Sequence, residues 1–225
     1  RNGTVKRLPV TALKNIRSSG IRALRLDEGD ELISVRETDG TKKILIATHD
    51  GMAVCFDEND ARVVGRAARG VKAITLDEGD EVVGMSIRRE GGLLLTVTET
   101  GYGRLSELTD YRIQSRGGKG LTNYHTAEYG DVAGIKVVDP EDDVILISSE
   151  GIIIRMQACE IRLCRRPSKG VRVMRVEEGD RIVSLARMPH EEEQPEEEST
   201  EEAGESAVPD ADEAPAGAPK SEEPS

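Results

Sequence analysis

The apolar residues of this chain come in short, β-branched runs closed by turn pairs. Lys43-Ile44-Leu45-Ile46-Ala47-Thr48 is typical, with Asp39-Gly40 before it and Asp50-Gly51 after it. Such runs between Asp-Gly pairs are strand and hairpin signals. No stretch ahead of residue 189 sustains a capped apolar period of 3.6, so no long helix is expected.

The runs recur every fifty residues. Gly20, Gly70, Gly120 and Gly170 lie fifty apart, as do Gly51, Gly101 and Gly151, while Gly3 precedes Gly51 by 48. Apolar columns keep the same step: Ile21, Val71, Leu121 and Val171; Leu32, Val82, Val132 and Ile182; Val35, Met85, Ile135 and Leu185; Ile44, Leu94 and Val144. Acidic turns recur at Asp27-Glu28-Gly29-Asp30, Asp77-Glu78-Gly79-Asp80 and Glu177-Glu178-Gly179-Asp180. Glu128-Tyr129-Gly130-Asp131 is displaced by one residue. The turn acids read as turn-formers, since they recur once per unit and catalytic pairs need not.

Each unit is expected to hold four strands. In the first these are Thr4 to Leu8, Ile21 to Leu26, Glu31 to Glu37 and Lys43 to Thr48. Four strands in about fifty residues, repeated, is the size of a propeller blade. A β-solenoid has shorter coils as a rule, and the absence of Trp speaks against the WD40 kind. The predicted architecture is all-β, with β-propeller blades at about 1–49, 50–99, 100–149 and 150–188. The first unit lacks a strand ahead of Gly3, and the chain opens on Arg1 rather than Met. It therefore reads as a fragment that begins mid-blade, with earlier blades cut away.

Charge divides the chain. The net value is −12, from 31 Lys and Arg against 43 Asp and Glu. Residues 191–225 hold fourteen acids and one base, Lys220, for −13, which leaves residues 1–190 at +1. From Pro189 the chain is Glu, Pro, Ala, Ser and Gly with almost no apolar bulk, so 189–225 is expected to be a disordered acidic tail.

Within the near-neutral body the bases are sorted by column. Arg62, Arg112 and Arg162 are fifty apart; so are Arg66, Arg116 and Arg166, and Arg69, Lys119 and Lys169. Lys72 and Arg172 share a column that Thr122 interrupts, and Arg165 sits beside Arg166. Equivalent positions in a propeller share radius and height, so one basic loop per blade becomes a basic belt. A belt of regular positive charge suits a bent duplex, bound through its phosphates with little base reading. The loop Gln114-Ser115-Arg116-Gly117-Gly118-Lys119-Gly120 is the most distinctive. Its glycines permit positive φ and close approach to a phosphate, although the spacing is not that of a P-loop.

Other chemistry is sparse. Aromatics are 2%, too few for stacking platforms on single strands. Cys55, Cys159 and Cys164 lack a CxxC and read as reduced cytoplasmic thiols. His49, His125 and His190 show no ligand spacing, and no run approaches the ~18 apolar residues of a membrane span. The chain shows neither a signal peptide nor an active site of its own.

The heptad Gln114 to Gly120 resembles the Q-R-R-G-G-[RK]-G box of the DNA gyrase A C-terminal domain, with Ser115 as the one departure. Asp27-Glu28-Gly29-Asp30, Gly65-Arg66 with Arg69-Gly70-Val71, and Gly101-Tyr102-Gly103-Arg104 are similar to phrases of that family. The resemblance covers about residues 1–188. It implies a six-bladed, strand-exchanged propeller (a β-pinwheel), of which roughly four blades are present, with double-stranded DNA wrapped on its perimeter. It also implies a heterotetrameric type IIA topoisomerase, in which this A-type chain joins a second A-type chain and the gyrase B partners. ATP and Mg are bound elsewhere in that assembly and drive negative supercoiling. No cofactor is expected in this chain. The family's reactive tyrosine lies in another domain, so Tyr102, Tyr111, Tyr124 and Tyr129 take no such role. The DNA-facing residues implied are Arg62, Arg66, Arg69, Lys72, Arg112, Gln114, Arg116, Gly117, Gly118, Lys119, Gly120, Arg162, Arg165, Arg166, Lys169 and Arg172. The first repeat has a weaker basic loop, Lys14 to Ser19, and Cys55 stands where a polar residue such as Arg155 is common. The near relative is the corresponding C-terminal domain of topoisomerase IV, a decatenation module; a propeller used only for protein contacts is the third reading.

A tail of charge −13 tethered to a basic belt is expected to compete with DNA at high effective concentration. Residues 1–190 should then bind duplex DNA more tightly than the whole chain when the two are titrated at two salt concentrations. Equal affinities and equal salt slopes would dispose of the competition.

Overall fold

The computed structural model describes residues 1–189; the segment expected to form an acidic tail falls outside them apart from Pro189. The strands are β1 (Thr4–Val5), β2 (Lys43–Thr48), β3 (Met52–Asp57), β4 (Val71–Lys72), β5 (Val82–Arg88), β6 (Leu93–Thr98), β7 (Tyr102–Glu107), β8 (Leu121–Thr122), β9 (Val132–Val138), β10 (Asp143–Ser148), β11 (Ile153–Gln157), β12 (Val171–Arg172) and β13 (Ile182–Met188). One helical turn, α1 (Thr126–Tyr129), interrupts them.

Each complete blade is an antiparallel sheet drawn from three successive repeats. One has the order β5-β2-β3-β8, the next β9-β6-β7-β12. The fourth strand is exchanged and only two residues long. Leu121 and Thr122 pair with Ala53 and Met52, and Val171 and Arg172 with Gly103 and Tyr102. The glycine ahead of each short strand is dictated by this crossing. Gly120 has φ +81°, and a Cβ on it would stand 2.2 Å from the Ala53 carbonyl oxygen. No side chain fits between the two backbones.

The long strands are apolar on both faces because each blade is sandwiched between neighbours. In β2, Ile44 and Ile46 pack with Ala73, Ile74 and Val82 on one side. Leu45 and Ala47 pack with Leu94, Tyr111 and Val132 on the other. A third cluster fills the next interface, with Leu95, Val97, Val144, Leu146 and Ile182. The inner strands β5, β9 and β13 approach closely through small residues. A Cβ on Gly84 would meet Ile135 at 2.9 Å, and one on Gly134 would meet Leu185 at 2.3 Å.

The first repeat departs from expectation. Ile21 to Leu26 and Glu31 to Glu37 form no strand, and only Thr4–Val5 of the first run does. Among the described residues neither segment has a pairing partner. Without a partner the backbone has no ladder to join. Leu32 and Val35 are consequently 53% and 68% exposed, whereas Val132 and Ile135 in the same columns are 0% and 2%. Among the described residues the last sheet, β13-β10-β11, likewise has no fourth strand and no covering blade. Ile153 is therefore exposed, and Arg155 points away from the core where Cys55 and Leu105 are buried.

The acidic turns are structural latches. Asp30, Asp80 and Asp180 each accept, through Oδ1, the backbone N–H of the next residue and that of Asn2, Asp50 and Glu150 respectively, at 2.8–3.1 Å. In the displaced third turn Gly130 occupies that place, and the Thr100 hydroxyl closes the turn on the Tyr129 carbonyl at 2.6 Å. The repeat gains no residue, since Gly120 and Val132 stay fifty from Gly70 and Val82, and α1 fills the shifted turn.

Replacing Gly79, which has φ +86° but open space around it, should cost only backbone strain. For Gly79→Ala that is about 1–2 kcal/mol. Gly120→Ala adds a collision between main chains and should cost about 3 kcal/mol or more, read from urea-unfolding midpoints.

Candidate nucleic-acid interface

All the basic columns fall on one recurring segment, the path from each outer strand to the exchange strand. It begins with a single 3-10 turn, at Glu58–Asp60, Leu108–Asp110 and Ala158–Glu160. A buried anchor follows: Ala61, Tyr111 and Ile161, 3%, 1% and 2% exposed. Next come exposed Arg62, Arg112 and Arg162. The chain then makes a one-residue parallel bridge to the outer strand of the preceding blade, at Arg7–Val63, Cys55–Ile113 and Leu105–Leu163. Because β8 and β12 are the outer edges of their sheets and β5 and β9 the inner ones, this segment lies on the perimeter.

The fold sorts the cations into two groups. Arg116 donates from Nε to the Asp60 carbonyl and from Nη1 to the Lys72 carbonyl, both at 2.8 Å. Arg166 repeats this one blade later, to Asp110 at 3.0 Å and to Thr122 at 2.5 Å, with its guanidinium over the Tyr111 ring. These two arginines are clips between repeats. Lys119 pairs with Asp77 at 2.5 Å and Arg69 with Asp27 at 3.1 Å, so part of their charge is answered locally. The displaced third turn puts Ala127 where such an acid would stand. Lys169 instead lies 4.1 Å from the Tyr102 ring centre, and Arg172 donates to the Tyr102 hydroxyl at 2.9 Å. Those contacts hold the Tyr102 phenol below its ordinary pKa, the Arg172 bond first.

Arg62, Arg66, Lys72, Arg112, Arg162 and Arg165 are exposed and make no ion pair among the described residues. The heptad loop is also largely committed. Gly117 donates its N–H to Ala73 and accepts from the Thr75 hydroxyl at 2.7 Å, while the Gly118 carbonyl accepts from Thr75 N–H at 2.9 Å. Gly118 is exposed, and only the Gly120 nitrogen, at 4.0 Å, comes near its would-be Cβ. This one glycine leaves the backbone open to an approaching group. Gln114 is tied by its backbone to Cys55, and its Nε2 is buried without a partner among the described residues.

Two features escape sequence reasoning. Arg104 is 0% exposed, in a column that otherwise holds Val54 and Ile154. It donates to the Ser168 carbonyl at 2.9 Å, to Ser106, and to Asn123, and it lies over Tyr124. A buried cation without a carboxylate survives because carbonyl oxygens and a π-face meet its donors. It thereby fixes the basic loop of the fourth repeat, at Ser168, from beneath. Its one signal in the sequence is a charge in an apolar column. His49 has no carboxylate constellation in its sequence spacing, yet Asp50 and Glu99 lie 3.6 Å and Asp131 3.8 Å from its ring nitrogens. These residues form a seam between blades. Arg1 with Glu81 and Glu99 with Arg181 occupy the neighbouring seams.

The architecture defines a class: strand-exchanged β-propeller domains with basic perimeter loops. Residues 1–39, 42–87, 92–139 and 142–187 match the family model of the DNA gyrase C-terminal domain, beta-propeller, and the chain belongs to that family. It is 50% identical over 204 residues to the DNA gyrase A chain of Halalkalibacterium halodurans, covering 90% of this chain and 24% of the relative. It is 54% identical to that of Streptococcus pyogenes serotype M3, covering 82% and 22%. The chain thus spans about a quarter of the length of these relatives. Among solved structures, the C-terminal domain of DNA topoisomerase IV superposes with TM-score 0.78 at 28% identity, covering 83% of this chain and 59% of the other. The DNA gyrase A C-terminal domain gives 0.75 at 25% identity, covering 84% and 63%. No helix among the described residues is long and apolar enough to cross a membrane.

Arg166→Ala should lower stability by about 2 kcal/mol or more, because two carbonyls lose a charged donor. Arg162→Ala should change it by no more than about 0.5 kcal/mol. Thermal unfolding of the two variants side by side separates clip from free charge.

Proposed function

We propose that the perimeter binds and bends duplex DNA, as the wrapping module of a type IIA topoisomerase of the gyrase kind. The observation that carries this is the recurrence of Arg62, Arg112 and Arg162 at one position of three successive blades, exposed and without acid partners among the described residues. A duplex presents one charge per ~1.7 Å of axis, so cations repeated around a curved rim match a bent duplex better than any small anion. Lys72, Arg66 and Arg165 widen the belt, and Gly118 admits a phosphate close to the main chain. The contacts are of the positioning kind and read shape more than sequence.

This chain performs no chemistry in the proposal. In the holoenzyme the wrapped segment is delivered to a cleavage core made by the rest of the gyrase A chain, its second copy and the gyrase B partners. ATP and Mg act there. A decatenating module of the topoisomerase IV kind is the second reading, favoured by the superposition on that domain. Gly117-Gly118-Lys119-Gly120, which keeps the box that such modules often lose, supports the gyrase reading.

Replacing Arg62, Arg112 and Arg162 together by Gln should leave the melting temperature unchanged. The slope of log K against log salt should become shallower by about 0.9 for each phosphate no longer neutralised, about 2.7 in all. An unchanged slope in fluorescence-anisotropy titrations would overturn the assignment.

A further inference from the structure

Beside each free arginine of the belt stands an exposed apolar residue. Val63, Ile113 and Leu163 are 56%, 52% and 49% exposed, each directly after Arg62, Arg112 and Arg162. One exposed aliphatic side chain on a surface needs no explanation. Three in register, one per blade, are a ridge. Their backbones are pinned: each makes the parallel bridge to the preceding blade, and the next N–H donates to Arg7, Cys55 and Leu105 at 3.0, 2.8 and 2.9 Å. The anchors two residues earlier are buried, so the local core is complete without these side chains. Tight clipping also prevents them from turning inward.

We propose that Val63, Ile113 and Leu163 are the bend-setting contacts of the rim, packing into the minor groove of the bound duplex while the adjacent arginines neutralise its phosphates. The inference rests on the DNA-wrapping reading above. Charge complementarity selects the occupant: a ridge flanked by unpaired Arg62, Arg112 and Arg162 repels a basic partner and suits a polyanion that also offers apolar surface. The minor groove does so, through its sugars and base-step edges, and aliphatic wedges there widen and kink a duplex. A narrow groove also attracts arginine, so the Arg–aliphatic pair addresses one feature of bent DNA with both its side chains. Repetition at blade spacing would distribute the bend over successive grooves rather than concentrate it at one kink.

The test separates bending from binding. The whole chain and a Val63→Ser, Ile113→Ser, Leu163→Ser variant are compared on a duplex of about 150 bp. Affinity comes from the anisotropy of a dye on an internal base, and bending from the rate of ligase-catalysed ring closure of the unlabelled duplex at saturating protein. The variant should bind within about threefold of the parent with the same salt slope, yet lose at least about 20° of bend. A second variant, Val63→Ile, Ile113→Leu and Leu163→Ile, should keep the bend. An equal bend in the serine variant overturns the inference while the wrapping reading stands. A drop in affinity with the bend intact also overturns it, since the ridge is then adhesive only. A parent chain that does not bind duplex DNA removes both. All three residues are exposed, so unchanged melting of the variants establishes that folding is not the cause.

Discussion

Every complete blade depends on two residues borrowed from the next repeat. Leu121 and Thr122 close the sheet of β2, β3 and β5, and Val171 and Arg172 close that of β6, β7 and β9. A sheet edge left open carries unpaired donors and acceptors, and a strand without a partner does not form. The first repeat shows the second half of that rule, with Leu32 and Val35 exposed where later repeats bury their counterparts. The exchange thus converts a string of hairpins into a mutually dependent series.

The same constraint makes the perimeter. To reach the preceding blade, the chain after each outer strand must run outward, cross another backbone at a glycine, and pair. The loop that does this is long enough to carry cations and is held at several points. Arg116 and Arg166 use their fork of donors to bind carbonyls two segments away, which a lysine's point charge does less well. Arg104 supports the loop of the fourth repeat from within the blade. A belt built this way presents its remaining charges at defined places, which favours a ligand with its own regular charge spacing.

The near-zero charge of the body conceals a belt, but the belt is smaller than the basic columns alone indicate. Arg69 and Lys119 face acids of the preceding turn, and the two clip arginines face carbonyls. Among the described residues, what is left free is the column at Arg62, Arg112 and Arg162 with a few neighbours. Residues 191–225 carry −13 of the chain's net charge of −12, against +1 for the body.

Much is legible from the chain itself. Spacing of glycines, acidic turns and apolar columns determined the repeat, the blade and the number of units, because these are local demands of turns and of a period-two strand. The basic columns and the heptad are legible for the same reason. The tertiary structure decided what depends on distant neighbours: which repeat closes which sheet, why Ile21 to Leu26 and Glu31 to Glu37 stay unpaired, and where Arg104 finds its oxygens. It decided as well that His49 sits among carboxylates. Above all it decided which arginines are free. A side chain's charge is written in the sequence, but its availability is set by the carbonyl or carboxylate that the fold brings beside it.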